Sequence, residues 1–313
     1  MNKFFLSVLL LGAAVLVVPA CKDGEDTTPA SNNILDVLKN DANLSTLVSA
    51  LERADLDQVF AGTDEYTLFA PTNAAFTQLL TDLGANSLND IPVDVLTNVL
   101  LNHVVTGEKK AASLSTGYIN SLLPYNGSSV NQTLFINTAS GVKVNDATVT
   151  AADADASNGV VHTINKVLLP TTVVNQALNN PEFSTLVAAL TRSDLGVDYV
   201  GLLNGTGPFT VFAPTNAAFA SLLTELNLPN LNAIPAATLN SVLQYHVVNG
   251  ANVRAENLTN GQVVTTFGGG TFTVGLTGGA KITDAKARVS NIIATNVQAN
   301  NGVVHAIDKV LLP

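Results

Sequence analysis

The octapeptide FAPTNAAF occurs at residues 69–76 and again at 212–219, an offset of 143. A catalytic motif is needed once per site, whereas a structural module recurs, so the repeat points to duplication of a folding unit. The same offset holds far from the octapeptide. Ile91-Pro92 returns as Ile234-Pro235 and His103-Val104-Val105 as His246-Val247-Val248. NGVVH at 158–162 returns at 301–305, and KVLLP at 166–170 returns at 309–313. Upstream, STLV at 45–48 matches 184–187 at an offset of 139, so the second copy carries four extra residues near 198–204, as a loop tolerates. Two copies are too few, and the period too long, for a solenoid. The modules span 34–170 and 171–313, and a chain of 313 residues holds both at ordinary domain size. With almost no linker at Thr171-Thr172, they are expected to touch.

Each module opens helically, with Leu44, Leu47, Val48 and Leu51 at helix spacing. Residues 66–71 read as a strand with Pro71 at its end, where a missing N–H is tolerated. Thr72 and Asn73 suit the N-cap of a helix over 74–80. The octapeptide is therefore a strand-to-helix corner. Phe69 and Phe76 anchor its two sides in the core, as do Phe212 and Phe219 in the second copy, and Pro71, Asn73, Pro214 and Asn216 belong to the same structural motif. The last third of each module alternates Thr and Val, with Asn-Gly hairpin signals at 126–127, 158–159, 260–261 and 301–302. The class is α+β: helices first, then an antiparallel sheet or sandwich.

In this order, TLFAPTNAAF, a helix ending in His-Val-Val, and NGVVH followed by KVLLP resemble the fasciclin domain, in two copies covering 34–313. The resemblance implies two tandem β-sandwich wedges with helices packed on them, acting as secreted or cell-surface adhesion modules without a cofactor. The Tyr-His pair that precedes the second large motif maps to Tyr245-His246, whereas the first copy has Asn102-His103, a departure. That makes Tyr245 and His246 the candidate partner contact. Tyr245 precedes a residue of the apolar stripe, so it is expected half exposed at the stripe's edge, an amphipathic group of the kind enriched at binding hot spots.

All four histidines fall at repeated positions: His103, His162, His246 and His305. Leu96, Val99, Leu100 and His103 follow helical spacing, as do Leu239, Val242, Leu243 and His246, which places these imidazoles on apolar stripes near helix C-termini that favour their charge. On the last strand of each copy, His162 shares a face with Val160 and Ile164, and His305 with Val303 and Ile307, opposite Thr163 and Asn165 or Ala306 and Asp308. Core histidines with hydrogen-bonded nitrogens fit this pattern better than a zinc site, for which no third ligand stands at fixed spacing. Asp153-Ala-Asp155 lacks the glycine and glutamate of a calcium loop, and no nucleophile elbow or phosphate loop occurs. Neither a catalytic constellation nor a cofactor or metal site is expected.

The N-terminus supplies the remaining reading. Lys3, an apolar run at 4–18 and Pro19-Ala20 form a secretory signal over 1–20, the alternative being a retained membrane anchor. Cys21 is the single cysteine and resembles the acceptor of a bacterial lipoprotein signal; the alternative is a free thiol. Lipidation there would anchor the chain stably, with 21–33 as the lipidated residue and a flexible tether. The acidic start KDGED resembles the export signal of surface lipoproteins. The net charge of −10 without a basic cluster argues against a nucleic-acid partner. The expectation is a lipid-anchored adhesion or binding module of the cell envelope, on the outer membrane and surface-exposed. Its partner would be a cell-surface or extracellular-matrix protein or a glycan. A surface lipoprotein that binds a glycan or small molecule is the alternative, and a hydrolase the third reading.

Overall fold

The computed structural model describes residues 32–313; the stretch 1–20 expected as a signal, Cys21 and most of the expected tether 21–33 lie outside the described residues. The first module opens with helices α1 (Ile34–Asn40), α2 (Ser45–Arg53) and α3 (Asp57–Ala61). Strand β1 (Tyr66–Pro71) turns into α4 (Asn73–Leu83), and α5 (Val93–Leu101) follows. The remaining strands are β2 (Val104–Thr106), β3 (Gly117–Pro124), β4 (Asn131–Asn137), β5 (Lys143–Val144), β6 (Ala147–Ala156) and β7 (Gly159–Ile164). The second module repeats this order with α6 (Val173–Asn179), α7 (Ser184–Leu190), α8 (Tyr199–Leu203), β8 (Phe209–Pro214), α9 (Asn216–Glu225) and α10 (Ala236–Tyr245). It closes with β9 (Val247–Asn249), β10 (Val263–Thr265), β11 (Thr271–Gly275), β12 (Lys281–Thr283), β13 (Val289–Ala299) and β14 (Gly302–Ile307).

Each module holds one seven-stranded sheet, in the order β2-β1-β7-β6-β5-β4-β3 and β10-β11-β12-β13-β14-β8-β9. The sheets are not wholly antiparallel: β1 pairs parallel with β7, and β8 with β14. Most of a module lies between these partners, long enough for the crossover that parallel neighbours need. Strand β6 changes register twice along β7, and such bulges bend and twist a strand. The edge strands β2 and β3 approach each other, so the first sheet curls into a wedge.

The curl creates two apolar layers per module. Leu68 and Ala70 of β1 face the helices, with Phe76 beside them. Phe69 faces the opposite layer with Val105, Leu134 and Ile136. The second module separates Phe219 from Phe212 in the same way. The octapeptide thus pins two cores, one phenyl ring in each. The last strands lie between these layers, which explains why their outward faces are not polar: Ala306 is buried, and β14 is buried along its whole length. Central strands covered on both sides read as continuous apolar runs. Three of the four Asn-Gly pairs join neighbouring strands. The pair at 260–261 instead precedes β10, where the Asn260 carboxamide accepts from the Leu276 amide at 2.8 Å.

Candidate functional site

At each corner Thr72 or Thr215 caps the helix, accepting from the amides of Ala75 and Ala218. Asn73, expected as a second capping residue, lies inside the helix and works across space. Its Oδ1 accepts from Thr46 N at 2.8 Å and its Nδ2 donates to Ala42 O at 2.9 Å, which fixes the start of α2 against the corner. Asn216 does the same with Thr185 N and Pro181 O. Asn158 and Asn301, legible in the sequence only as turn residues, are internal clasps. Asn158 accepts from Ile34 N and donates to Phe60 O and Gly62 O. Asn301 accepts from Val173 N and donates to Leu203 O and Gly205 O. The glycine that follows is required because a Cβ at Gly159 would stand 1.8 Å from Tyr66 O.

The histidines form two pairs with opposite tautomers. His103 Nδ1 lies 2.7 Å from Val99 O, so it donates, and Nε2 accepts from Leu168 N at 2.8 Å. His246 repeats this with Val242 O and Leu311 N. Each ring clamps the Leu-Leu-Pro segment to the end of a helix. His162 and His305 instead donate from Nε2 to Lys109 O and Val253 O, and accept at Nδ1 from Asp153 N and Asn296 N. Phe69 and Phe212 stack on these two rings at 5.5 and 5.4 Å. Every ring lone pair therefore faces a backbone N–H, which leaves none directed at a metal. Among the described residues no three His, Cys, Asp or Glu side chains cluster as a metal site would require. The helix C-termini do not keep the rings charged: burial pushes His103 and His246 down to about 4, against the weaker upward pull of the helix carbonyls.

Tyr245 is not half exposed. It is 1% exposed, because its ring belongs to the second module's sheet-side core with Phe212 and Phe272. Its hydroxyl donates to Thr271 O and accepts from Ala285 N at 3.1 Å. The glycine run 268–270 wraps this ring: a Cβ at Gly270 would lie 2.8 Å from it. His246 is 3% exposed. The Tyr-His pair is thus a packing device and offers no surface to a partner. Asn102, at the matching place in the first module, is also buried and donates to Leu168 O and Leu169 O at 3.1 Å each.

An accessible cleft lies at the domain junction. The outer face of β3 and β4 docks on α6 and β13 through polar contacts. Gln176 Nε2 donates to Thr133 O at 2.8 Å, Thr133 Oγ1 donates to Gln298 O at 3.2 Å, and Asn180 Nδ2 donates to Tyr118 Oη at 2.9 Å. Burial raises the Tyr118 phenol to about 12. Beside this contact, α4, the β5–β6 turn, the Leu-Leu-Pro segment and α6 enclose a cleft of about 830 Å³. Leu169 and Leu178, 46% and 56% exposed, supply its apolar surface. Gln78, Asn165, Asn175 and Asn179 supply carboxamides, and Lys166 pairs with Asp146 at 2.8 Å. The second module closes the corresponding place: Arg288, on its longer β12–β13 hairpin, reaches Glu225 at 2.7 Å and Val310 O at 2.8 Å.

The fasciclin domain family matches the chain twice, over residues 42–170 and 181–313. The chain belongs to this family. It is 31% identical over 295 residues to transforming growth factor-beta-induced protein ig-h3 of Sus scrofa, covering 93% of this chain and 41% of that protein. Human periostin is 30% identical over 266 residues, covering 84% of this chain and 30% of its own length. The chain thus spans about two fifths or less of these curated relatives. The solved FAS1 domain pair from the insect cell adhesion molecule Fasciclin I matches with a TM-score of 0.52 at 22% identity, covering 87% of this chain and 97% of that one. The likeness is one of fold: two fasciclin domains in tandem, each a seven-stranded sheet with helices. Among the described residues no helix is long and apolar enough to cross a membrane.

Proposed function

We propose that this fasciclin pair is an adhesion or extracellular binding module, held on the bacterial envelope by a lipid at Cys21, with a surface role rather than a catalytic one. The observation that carries the reading is where the repeated polar residues go. His103, Asn158, His162 and their second-copy partners direct their hydrogen bonds to backbone groups inside the module. The features shared by both copies therefore serve the fold, and recognition is left to the outer surface. The cell adhesion molecule with the same paired architecture points the same way. The signal-like segment, Cys21 and the polar tether support an anchored chain, on the outer membrane and surface-exposed.

The junction cleft favours a second reading, a glycan or other neutral polyhydroxylated ligand. Carboxamides can bond hydroxyls while Leu169 and Leu178 cover apolar faces of a sugar. One experiment addresses both. Cells carrying the full chain or its Cys21→Ser variant are compared for attachment to surfaces coated with matrix protein or polysaccharide. The full chain should promote attachment to one coating, and the variant should release the protein and lose attachment. Equal attachment with and without the chain on every coating would refute the adhesion role. Attachment to polysaccharide that Leu178→Asp abolishes would favour the cleft.

A further inference from the structure

The two modules share a docking face that is covered in the first and, among the described residues, bare in the second. In the first, Leu134 and Ile136 of β4 point into the core. The alternate residues Thr133 and Phe135 therefore point outward, opposite Asn120 and Tyr118 of β3. This outer face is the one that meets α6 and β13 of the second module, and Thr133 and Phe135 are 4% and 2% exposed beneath that contact. In the second module Phe272 and Val274 point inward. Thr271 and Thr273 take the outward places, opposite Thr265 and Val263. The row continues from Thr273 to Thr283 and on to Val289. Val263 is 63% exposed, Val289 43% and Ile293, on the same face, 56%. The face that receives a neighbour in the first module is thus exposed among the described residues, and apolar-to-hydroxylic, in the second.

What covers this face in the first module also has a counterpart. The covering surface is the end of a module built by its first helix and its long bulged strand: Gln176 and Asn180 around α6, and Gln298 of β13. The corresponding residues of the first module are Val37, Asp41 and Asp155. Asp41 has the same backbone shape as Asn180 and the same capping role. Asp155 and Gln298 hold equivalent registers, opposite Val160 and Val303. Val37 is half-buried and Asp155 exposed. Apolar Val37 replaces Gln176 and Asp41 replaces Asn180, whereas Gln298 meets Thr133 through its backbone oxygen and Asp155, in its place, pairs with Lys110 at 3.0 Å. The bare face of the second module carries valines and threonines, with Lys281 in the row opposite Asn291 and no carboxylate among these positions.

We propose that the outer face of β10–β13 receives the α1–β6 end of a second copy of this chain, head to tail, by the geometry that joins the two modules within one chain. A heterologous contact of this kind leaves a free face at one end and a free α1 end at the other, so it propagates.

Sedimentation velocity on residues 22–313, which contain the whole compact unit 32–313, tests this. The mean mass should rise with concentration. Val263→Glu combined with Thr273→Glu spoils the receiving face, and Val37→Arg or, independently, Val37→Glu spoils the inserted end. Each variant alone should stay monomeric with unchanged circular dichroism. A mixture of one face variant and one end variant should give a 1:1 dimer and nothing larger, because it holds one intact pair of surfaces. A wild-type chain that stays monomeric at its highest soluble concentration would overturn the proposal. So would face variants that associate like wild type, or a mixture that stays monomeric, since either result would place the contact elsewhere.

Discussion

Acid should unfold this chain through its buried imidazoles before its carboxylates titrate. His103 and His246 are held neutral by burial, with their pKa lowered from 6.5 to about 4. A depressed folded-state value means that unfolding takes up a proton. The stabilisation is complete above the unfolded pKa and is lost as pH falls through 6.5 towards 4. A tenfold loss of proton affinity on folding corresponds to about 1.4 kcal/mol, so each ring contributes about 3 kcal/mol at neutral pH, of which about 2 is gone by pH 5. His305, also lowered by burial, acts with the same sign, and the nearby Asp284 carboxylate only partly offsets the lowering at His246. The assay is urea unfolding followed by circular dichroism between about pH 7.5 and 5, a window above most carboxylate titrations. His103→Gln and His246→Gln remove the titrating group from one module each, so the mutated module should start less stable but lose less stability as pH falls. A wild-type stability that is flat across this window, or an equal slope in the variants, would refute the reasoning.

Two further outcomes test the packing directly. Phe69→Ala and Phe212→Ala each empty a fully buried site stacked on a histidine, and each should cost about 3–5 kcal/mol. The loss should fall mainly on the transition of the altered module, and a variant melting like the parent would contradict the two-layer core. Tyr245→Ala should likewise cost about 3–5 kcal/mol in the second module, because the ring fills the core and its hydroxyl closes two backbone bonds; a thermally neutral variant would return Tyr245 to the surface.

The strand-to-helix corner was legible because its signals are local: a proline at the end of an apolar strand, a threonine cap, and phenylalanines seven residues apart. The histidines were legible as inward-facing because periodicity reports burial. Periodicity carries no information about partners, so it could not show that the helix-end rings and the strand rings use opposite nitrogens. The same limit hid the Asn73 and Asn158 clasps, whose partners lie 27 to 124 positions away. Tyr245 was misplaced because the apolar stripe of α10 locates one core, while the sheet curls to make a second on its other side. A residue at the edge of the first stripe is then the centre of the second layer.

The comparison of the two copies separates fold from recognition more sharply than either copy alone. Asn73 and Asn216, His103 and His246, and Asn158 and Asn301 make matching backbone bonds in both modules. The positions that differ behave otherwise. Gln176 and Asn180 bond across the junction to Thr133 and Tyr118, whereas Val37 and Asp41 occupy their places at the α1 end of the first module. Arg288 bridges a groove in the second module that stays open at the junction as the cleft. These differences lie where one module meets another or meets solvent, whereas Tyr245 and Asn102 differ inside the modules, each filling its own core.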